Sequence, residues 1–380
     1  MLDVECACVP CLNSTMLPFT PIIDALPSTV PFVGPEALER RSGSSISARI
    51  GANENVFGPS PRAIAAMQAA AADSWMYGDP ENHDLKIAIA RSLGLKPENI
   101  TCGSGIDGLL GLVVRLFLSP GDVVATSLGA YPTFNFHVAA AGGRLVTTPY
   151  VQDREDPEAL LQLARNTKAK LLYFANPDNP MGTHWPAADV ERLIAAVPED
   201  CMLLLDEAYI EFAPDGTAPR FDTARKNLLR FRTFSKAHGM AGIRVGYCIG
   251  EAAMTSAFDK IRNHFGISRI SQAGAVTAIG DAGWVAHVKG EVIKARGRIR
   301  AIAEASGLSV LPSATNFVAV DCGRDGAFAR SIVDGLLRHG IFIRMPGVAP
   351  LNRCIRISCG GGIEMDALAE ALPRVLETLR

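Results

Sequence analysis

The sequence predicts an α/β protein with a mostly parallel central sheet, helices on both faces, and a smaller α+β C-terminal domain. Two runs, Lys170 to Ala175 and Met202 to Leu205, are unbroken and apolar, as strands covered on both faces are. Such runs alternate with helix-length segments, the pattern of parallel strands joined by right-handed crossovers. Beyond about residue 258 the elements become shorter and more mixed. The 380 residues also exceed the size at which one core keeps growing, so two lobes are expected.

Composition narrows the functional classes. Hydrophobic residues make up 48% and charged residues 20% of the chain, with a formal net charge of -2. Basic residues are scattered, without the basic stripe of a nucleic-acid binder, so no nucleic acid is expected as a partner. No apolar run reaches the roughly 18 residues of a membrane span. The stretch Met1 to Cys6 lacks the basic start and apolar core of a secretory signal. Of the nine cysteines, Cys201, Cys248 and Cys354 sit singly in apolar runs, which fits buried thiols in a reducing cytoplasm.

Residues 1–17 contain Cys6, Cys8 and Cys11. No second ligand pair follows at zinc spacing, so this segment reads as a mobile extension without a metal, and Met16 offers a second start. An N-terminal arm over 18–60 comes next, proline-rich to Arg41 and ending in the turn-rich loop Ile50 to Pro61. Ser60 and Pro61 form a helix start, with the serine as N-cap and the alanine-rich run to Ala72 as the helix. A large domain is expected over 61–265 and a small one over 266–380.

After the turn Trp75 to Pro80, a helix is expected from about Asp84 to Leu93, then a short strand, Asn99 to Cys102. That strand leads into Gly103-Ser104-Gly105-Ile106-Asp107-Gly108 and an apolar helix over 109–118. Gly-x-Gly-x-x-Gly at this place raises a dinucleotide site. Such a site wants an acidic residue about 20 positions on, and Asp122 arrives too early, in a turn before its strand. A helix N-terminus holding a single phosphate is the more economical reading.

Further strands are expected at Val123 to Thr126, Arg144 to Thr147, Asn227 to Phe231 and Val245 to Ile249. Ligands in such sheets bind off the carboxyl ends of strands. Polar clusters stand at three of those ends: Asn176 to Gly182, Asp206-Glu207-Ala208-Tyr209, and Ser235-Lys236. The small domain begins with a long helical region over 268–305. Short strands near Thr315 to Val320, Ile341 to Arg344 and Cys354 to Ser358 follow, with a helix near 326–338.

The stretch Phe231 to Gly246 holds the chemistry. Lys236 follows Thr233 and Ser235, and Arg244 lies eight positions on among glycines. A lysine amine forms a Schiff base with a carbonyl, and pyridoxal phosphate is the common carbonyl partner. Hydroxyls and a forked guanidinium suit its phosphate. A strand-end aspartate under a pyridine ring would keep the ring nitrogen protonated, and neighbouring donors would hold the phenolic oxygen ionised.

These motifs resemble the fold-type I, class I and II, pyridoxal phosphate aminotransferases. The resemblance is carried by Asn179-Pro180-x-Gly182, Asp206-Glu-Ala-Tyr209, Ser235-Lys236 and Arg244, in that order. Asn53-Glu54-Asn55, and Tyr77 paired with the Gly103–Asp107 loop, are similar to the histidinol-phosphate aminotransferase branch. The likeness runs from about residue 45 to the C-terminus. It implies a PLP-dependent transferase fold with pyridoxal 5'-phosphate bonded to Lys236, Asp206 on the ring nitrogen, and Asn179 and Tyr209 on the phenolic oxygen. It implies Tyr131 stacked on the ring, and Ser104, Gly105, Ile106, Asp107, Thr233, Ser235 and Arg244 around the phosphate. Tyr77 would reach the cofactor of a partner subunit, which implies a homodimer. Arg356, Arg344 and Asn55 would meet the small-molecule substrate, Arg344 through a distal phosphate. The implied reaction is ping-pong amino transfer between the glutamate/2-oxoglutarate pair and the histidinol phosphate/imidazole acetol phosphate pair.

Two departures bear on the substrate. Val56 stands where the branch has proline, and Arg262 to Ser268 lacks the usual proline–aromatic–asparagine text. His264, within that segment, is a further candidate contact. Aromatic amino acid aminotransferases and threonine-phosphate decarboxylases share most of these motifs and stand as alternatives. A transcription regulator on this fold would need a DNA-binding domain ahead of the first motif. A nicotinamide oxidoreductase would be indifferent to Lys236.

Overall fold

The computed structural model describes residues 17–27 and 32–379. The expected extension with Cys6, Cys8 and Cys11 lies outside the described residues, apart from Leu17. Helices α1 (Pro21–Asp24) and α2 (Pro35–Ser42) form the arm, which continues into strand β1 (Ala48–Arg49). Helix α3 (Pro61–Ala71) starts as its sequence indicates, with Ser60 Oγ accepting from the Ala63 amide and Pro61 in the first turn. Helix α4 (His83–Leu93) stops at Gly94, whose φ of 67° only glycine adopts without strain.

The large lobe is built on seven strands: β2 (Ile100–Gly103), β3 (Val123–Ser127), β4 (Arg144–Thr148), β5 (Leu171–Ala175), β6 (Met202–Asp206), β7 (Leu228–Thr233) and β8 (Gly246–Ile249). Their order is β2-β8-β7-β6-β5-β3-β4. All run parallel except β8, which is antiparallel to both neighbours. Helices α5 (Gly105–Phe117), α6 (Pro132–Ala140), α7 (Pro157–Thr167) and α8 (Ala187–Ala196) connect the strands. Every residue of β5, β6 and β7 is buried, as the apolar runs require of central strands.

Strand β7 nevertheless carries Arg230 and Arg232 inside the protein. Both guanidinium groups pair with the fully buried Glu207 beside β6, Arg230 bidentately at 2.5 and 3.1 Å and Arg232 through Nε at 3.0 Å. Phe221 covers both, 4.2 and 5.2 Å from the guanidinium carbons. A closed network of this kind is what lets charges sit in a core.

After the short α9 (Ala252–Ala257), the expected helical region 268–305 is two helices, α10 (Arg269–Ile279) and α11 (Ala282–Ala305). Asp281 breaks it by accepting from the Trp284 amide as an N-cap. Ala275 and Ala278 of α10 join Leu85, Ile89 and Phe234 in a large-lobe cluster. Val288, Val292 and Ile299 of α11 belong to the cluster containing the small-lobe strands. The two helices thus pack in different clusters, the second of which also reaches the large lobe through Leu109, Val124 and Leu204.

The small lobe has a three-stranded antiparallel sheet of β9 (Ser309–Val310), β10 (Phe317–Asp321) and β12 (Cys354–Ser358), with β10 central. Helices α11 and α12 (Gly326–Arg338) pack on it, and α13 (Gly362–Thr378) packs on those two helices and on β1. Strand β11 (Ile341–Phe342) lies apart from that sheet and pairs with β1, which ties the arm to the small lobe. No described helix is long and apolar enough to cross a membrane.

Candidate active site

A cavity of about 720 Å³ opens off the carboxyl ends of β3, β5, β6 and β7, and the small lobe closes its other side. Lys236, Asp206, Tyr209, Asn179 and Tyr131 all line it, as do Arg244, Arg344 and Arg356. Segments far apart in sequence thus meet in one space.

Lys236 follows the end of β7 in a tight turn. Thr233 Oγ1 accepts from the Ser235 amide at 3.0 Å, and the arm presses against the turn from outside. Gly239, at φ 69°, lies so close to Gly58 that a Cβ would stand 2.2 Å from the Gly58 carbonyl oxygen. Inside, the Lys236 ammonium donates to the Asn53 carbonyl at 2.9 Å. Burial, followed by the nearby Arg356 charge, pulls this amine down to about 8. It is therefore poised between its cationic and nucleophilic forms near neutral pH.

Asp206 ends β6. Tyr173 donates to its Oδ2 at 2.6 Å and the Ala208 amide to its Oδ1 at 2.9 Å, which fixes the carboxyl plane. Burial pushes this carboxyl up, outweighing the Tyr173 and Ala208 hydrogen bonds and the Lys236 charge. A protonated ring nitrogen against it would favour the ionised form. Tyr209 is buried, packs edge-on to Phe317 at 5.3 Å, and accepts from Asn53 Nδ2 at 2.9 Å. Arg356 Nη1 donates to Asn179 Oδ1 at 2.6 Å, joining the small lobe to the loop after β5.

At the other end of the cavity an anion cradle is built. Arg244, held at φ 57°, extends Nη1 toward Ser235 Oγ and Nη2 toward the Ser104 carbonyl, both at 3.4 Å. Its guanidinium faces the N-terminus of α5, where Gly105 has φ 80° and a Cβ would lie 2.4 Å from Nη2. A cation against the positive end of a helix is unfavourable unless an anion lies between them. A phosphate satisfies this geometry, so the residues present fit pyridoxal phosphate.

Several expected residues stand outside the lining. Tyr77 is 75% exposed and packs tilted at 32° against Phe265, centroids 4.5 Å apart, in the departing segment 262–268. His264 Nε2 lies 3.1 Å from the Asp259 carbonyl, away from the cavity. Ser104 Oγ donates to the Gly266 carbonyl, and Ile106 and Asp107 reach the cavity from the same loop. Asn55 donates to the Lys236 and Ala237 carbonyls and supports the lysine turn from behind. Of the two asparagines in Asn53-Glu54-Asn55, the one that lines the cavity is Asn53, which sequence reasoning did not make a site residue. Its φ of 55° belongs to the left-handed region that asparagine tolerates, a twist with no local mark in the sequence.

An amine, a buried carboxyl, a phenol and an anion cradle converge at the strand ends of a parallel sheet, the organisation of a lysine-dependent cofactor transferase. The chain belongs to the aminotransferase class I and II family, whose model matches residues 48–375, and pyridoxal phosphate is the cofactor of that family. It is 35% identical over 364 residues to the histidinol-phosphate aminotransferase of Roseiflexus castenholzii, covering 93% of this chain and 97% of that protein. It is 56% identical to the histidinol-phosphate aminotransferase of Sinorhizobium meliloti, solved in complex with pyridoxal-5'-phosphate. That structure superposes with a TM-score of 0.93 over 97% of this chain and 100% of the other. The aspartate aminotransferase of Thermus thermophilus, 21% identical with a TM-score of 0.78 over 95% of this chain and 100% of that one, shares the fold. The chain is a fold-type I aminotransferase, as its motifs imply.

Proposed function

We propose that this aminotransferase exchanges an amino group between glutamate and histidinol phosphate, with 2-oxoglutarate and imidazole acetol phosphate as the corresponding oxo compounds. The observation that carries this reading is the pair Arg344 and Arg356, both lining the cavity opposite Lys236. Neither makes an ion pair with a described carboxylate; their hydrogen bonds go to Val33, Asn179 and Gly51 oxygens. Guanidinium groups that line a cavity without a described carboxylate partner favour an anionic substrate, and their fork fits carboxylate and phosphate alike. The names of the relatives above point the same way.

Bound pyridoxal phosphate would accept the amino group and spread the charge of the deprotonated substrate carbon into its ring. Lys236 Nζ would hold the cofactor and, once freed, take the α proton and return it, as its lowered basicity suits. Asp206 would keep the ring nitrogen protonated, held in plane by Tyr173 and the Ala208 amide. Asn179 and Tyr209 would hold the phenolic oxygen, and Tyr131 would cover the ring. Ser235, Thr233, Arg244 and the start of α5 would bind the phosphate. Arg356 would orient the substrate anion common to both half-reactions, and Arg344 the distal phosphate. Exposed Tyr77 and Phe265 fit a homodimer in which Tyr77 reaches the partner's cofactor phosphate. The six described cysteines are all free and buried, which fits a cytoplasmic enzyme.

The test is product formation by the pyridoxal phosphate-loaded protein from histidinol phosphate and 2-oxoglutarate. Appearance of glutamate supports the reading. Transfer to 2-oxoglutarate from phenylalanine but not from histidinol phosphate would replace it with an aromatic aminotransferase.

A further inference from the structure

Asn53 lies where the arm, the large lobe and the small lobe touch within the cavity. It is 3% exposed and adopts φ 55°. Its carbonyl accepts from Lys236 Nζ at 2.9 Å and from Asn316 Nδ2 at 3.1 Å. Its amide N–H donates to Ser358 Oγ at 2.9 Å, and that hydroxyl lies 3.4 Å from Asn53 Oδ1. Its side-chain Nδ2 stands 2.9 Å from the Tyr209 oxygen.

The direction of these bonds matters. Ser358 has a hydrogen to give, which marks the near side-chain atom of Asn53 as the oxygen and the far one as the nitrogen. An amide nitrogen only donates, so the Tyr209 oxygen must accept from it. The phenol's own proton is then turned away from Asn53. With Tyr209 buried and its ring held by Phe317, the proton is directed into the cavity. The same residue holds the Lys236 amine on its carbonyl, so lysine and phenol share one support.

We propose that Asn53 is a positioning residue that fixes the Tyr209 hydroxyl as a donor toward the cofactor's phenolic oxygen, and through it sets the basicity of the Lys236 imine. This rests on the assignment above of Lys236 to the cofactor and Tyr209 to its phenolic oxygen. A donor to the ionised oxygen weakens its hold on the imine proton, so loss of that donor raises the pH at which the imine deprotonates. The charges around the phenol, Arg356, Asp206 and Lys236, stay in place in the Asn53 and Tyr209 variants.

Three single variants and one double variant test this with pyridoxal phosphate as the probe: Asn53→Gly, Asn53→Asp, Tyr209→Phe, and Asn53→Asp with Tyr209→Phe. Glycine tolerates the left-handed backbone, so Asn53→Gly removes the amide without opposing the fold. The readouts are the pH midpoint of the visible band of the lysine-bound cofactor and the cofactor dissociation constant. Asn53→Asp replaces the donor with an acceptor that captures the phenol proton, and its midpoint should rise by about one pH unit. Tyr209→Phe should rise similarly and Asn53→Gly by less. In the double variant the aspartate should add little to the Tyr209→Phe shift, because its route runs through the phenol.

Unchanged midpoints in both Asn53 variants would overturn the proposal. So would an aspartate shift that persists undiminished without the tyrosine hydroxyl, since that would be simple charge repulsion. A wild-type band that survives Lys236→Ala would remove the underlying assignment instead, an outcome visible before any Asn53 variant is measured.

Discussion

Arg344 and Arg356 exchange two backbone hydrogen bonds across an isolated antiparallel bridge, amide to carbonyl at 3.2 Å one way and 2.6 Å the other. The pairing sends two guanidinium groups into one cavity from neighbouring chain segments. Burial pulls Arg356 down to about 10 and lowers Arg344 as well, the mark of cations short of countercharge. Phe32 stacks over Arg344 at 4.8 Å and holds it in place.

The two arginines should separate by substrate. Arg356→Ala should weaken glutamate and histidinol phosphate alike, by about 10- to 100-fold for one lost charge-assisted contact. Arg344→Ala should weaken histidinol phosphate by a similar factor and leave glutamate nearly unchanged. Apparent affinities from single half-reactions measure both. Equal losses for both substrates in Arg344→Ala would remove the distal-phosphate role.

Lys236 predicts a pH dependence of stability in the cofactor-free protein. Burial pulls its amine down to about 8 when folded, from the ordinary 10.5. Between those values the unfolded chain holds a proton that the folded protein has released. Stability from this group therefore rises with pH from about 8 to 10.5 and is lost as pH falls back through 8. Melting temperatures of wild type and Lys236→Met across that range should diverge, with the steeper upward slope in wild type.

Glu207 predicts a large structural effect without contact to the cavity. Burial alone would raise its carboxyl, but Arg232 and Arg230 outweigh burial and hold it low. Glu207→Ala leaves two buried guanidinium groups without countercharge, and breaking such a network costs about 3–5 kcal/mol. Denaturant unfolding should show a loss of this order. Acid should erode the wild-type contribution as pH falls through the depressed carboxyl pKa.

Gly105 predicts a defect confined to the cofactor. An alanine there would have to adopt φ 80° and place its Cβ 2.4 Å from Arg244 Nη2. Gly105→Ala should displace the guanidinium and weaken pyridoxal phosphate by about 10-fold or more, given charge-assisted phosphate contacts. Equilibrium dialysis of cofactor with folded variant protein measures this.

The central sheet was legible because β5 and the first four residues of β6 form short unbroken apolar runs, as doubly covered strands do. Arg230 and Arg232 were not legible as core residues. Their neutralising partner Glu207 belongs to another strand end, and a pairing across that distance leaves no local pattern. The break between α10 and α11 was written in Gly280-Asp281 but reads as an interruption only once the aspartate is seen capping Trp284. In Asn53-Glu54-Asn55, motif reasoning favoured the second asparagine, whereas the backbone twist at Asn53 turns the first one inward. Tyr77 does not line the cavity of its own chain, so the role proposed for it rests on a second copy of the chain.

The most direct test of the account is a pair of single-turnover half-reactions. The pyridoxal phosphate-loaded enzyme is mixed separately with histidinol phosphate and with glutamate, and the visible band of the lysine-bound cofactor is followed. The account predicts that both substrates bleach the band to the pyridoxamine phosphate absorbance, each saturably. Bleaching by glutamate with no response to histidinol phosphate would contradict it, leaving an aminotransferase whose arginine pair serves another anion.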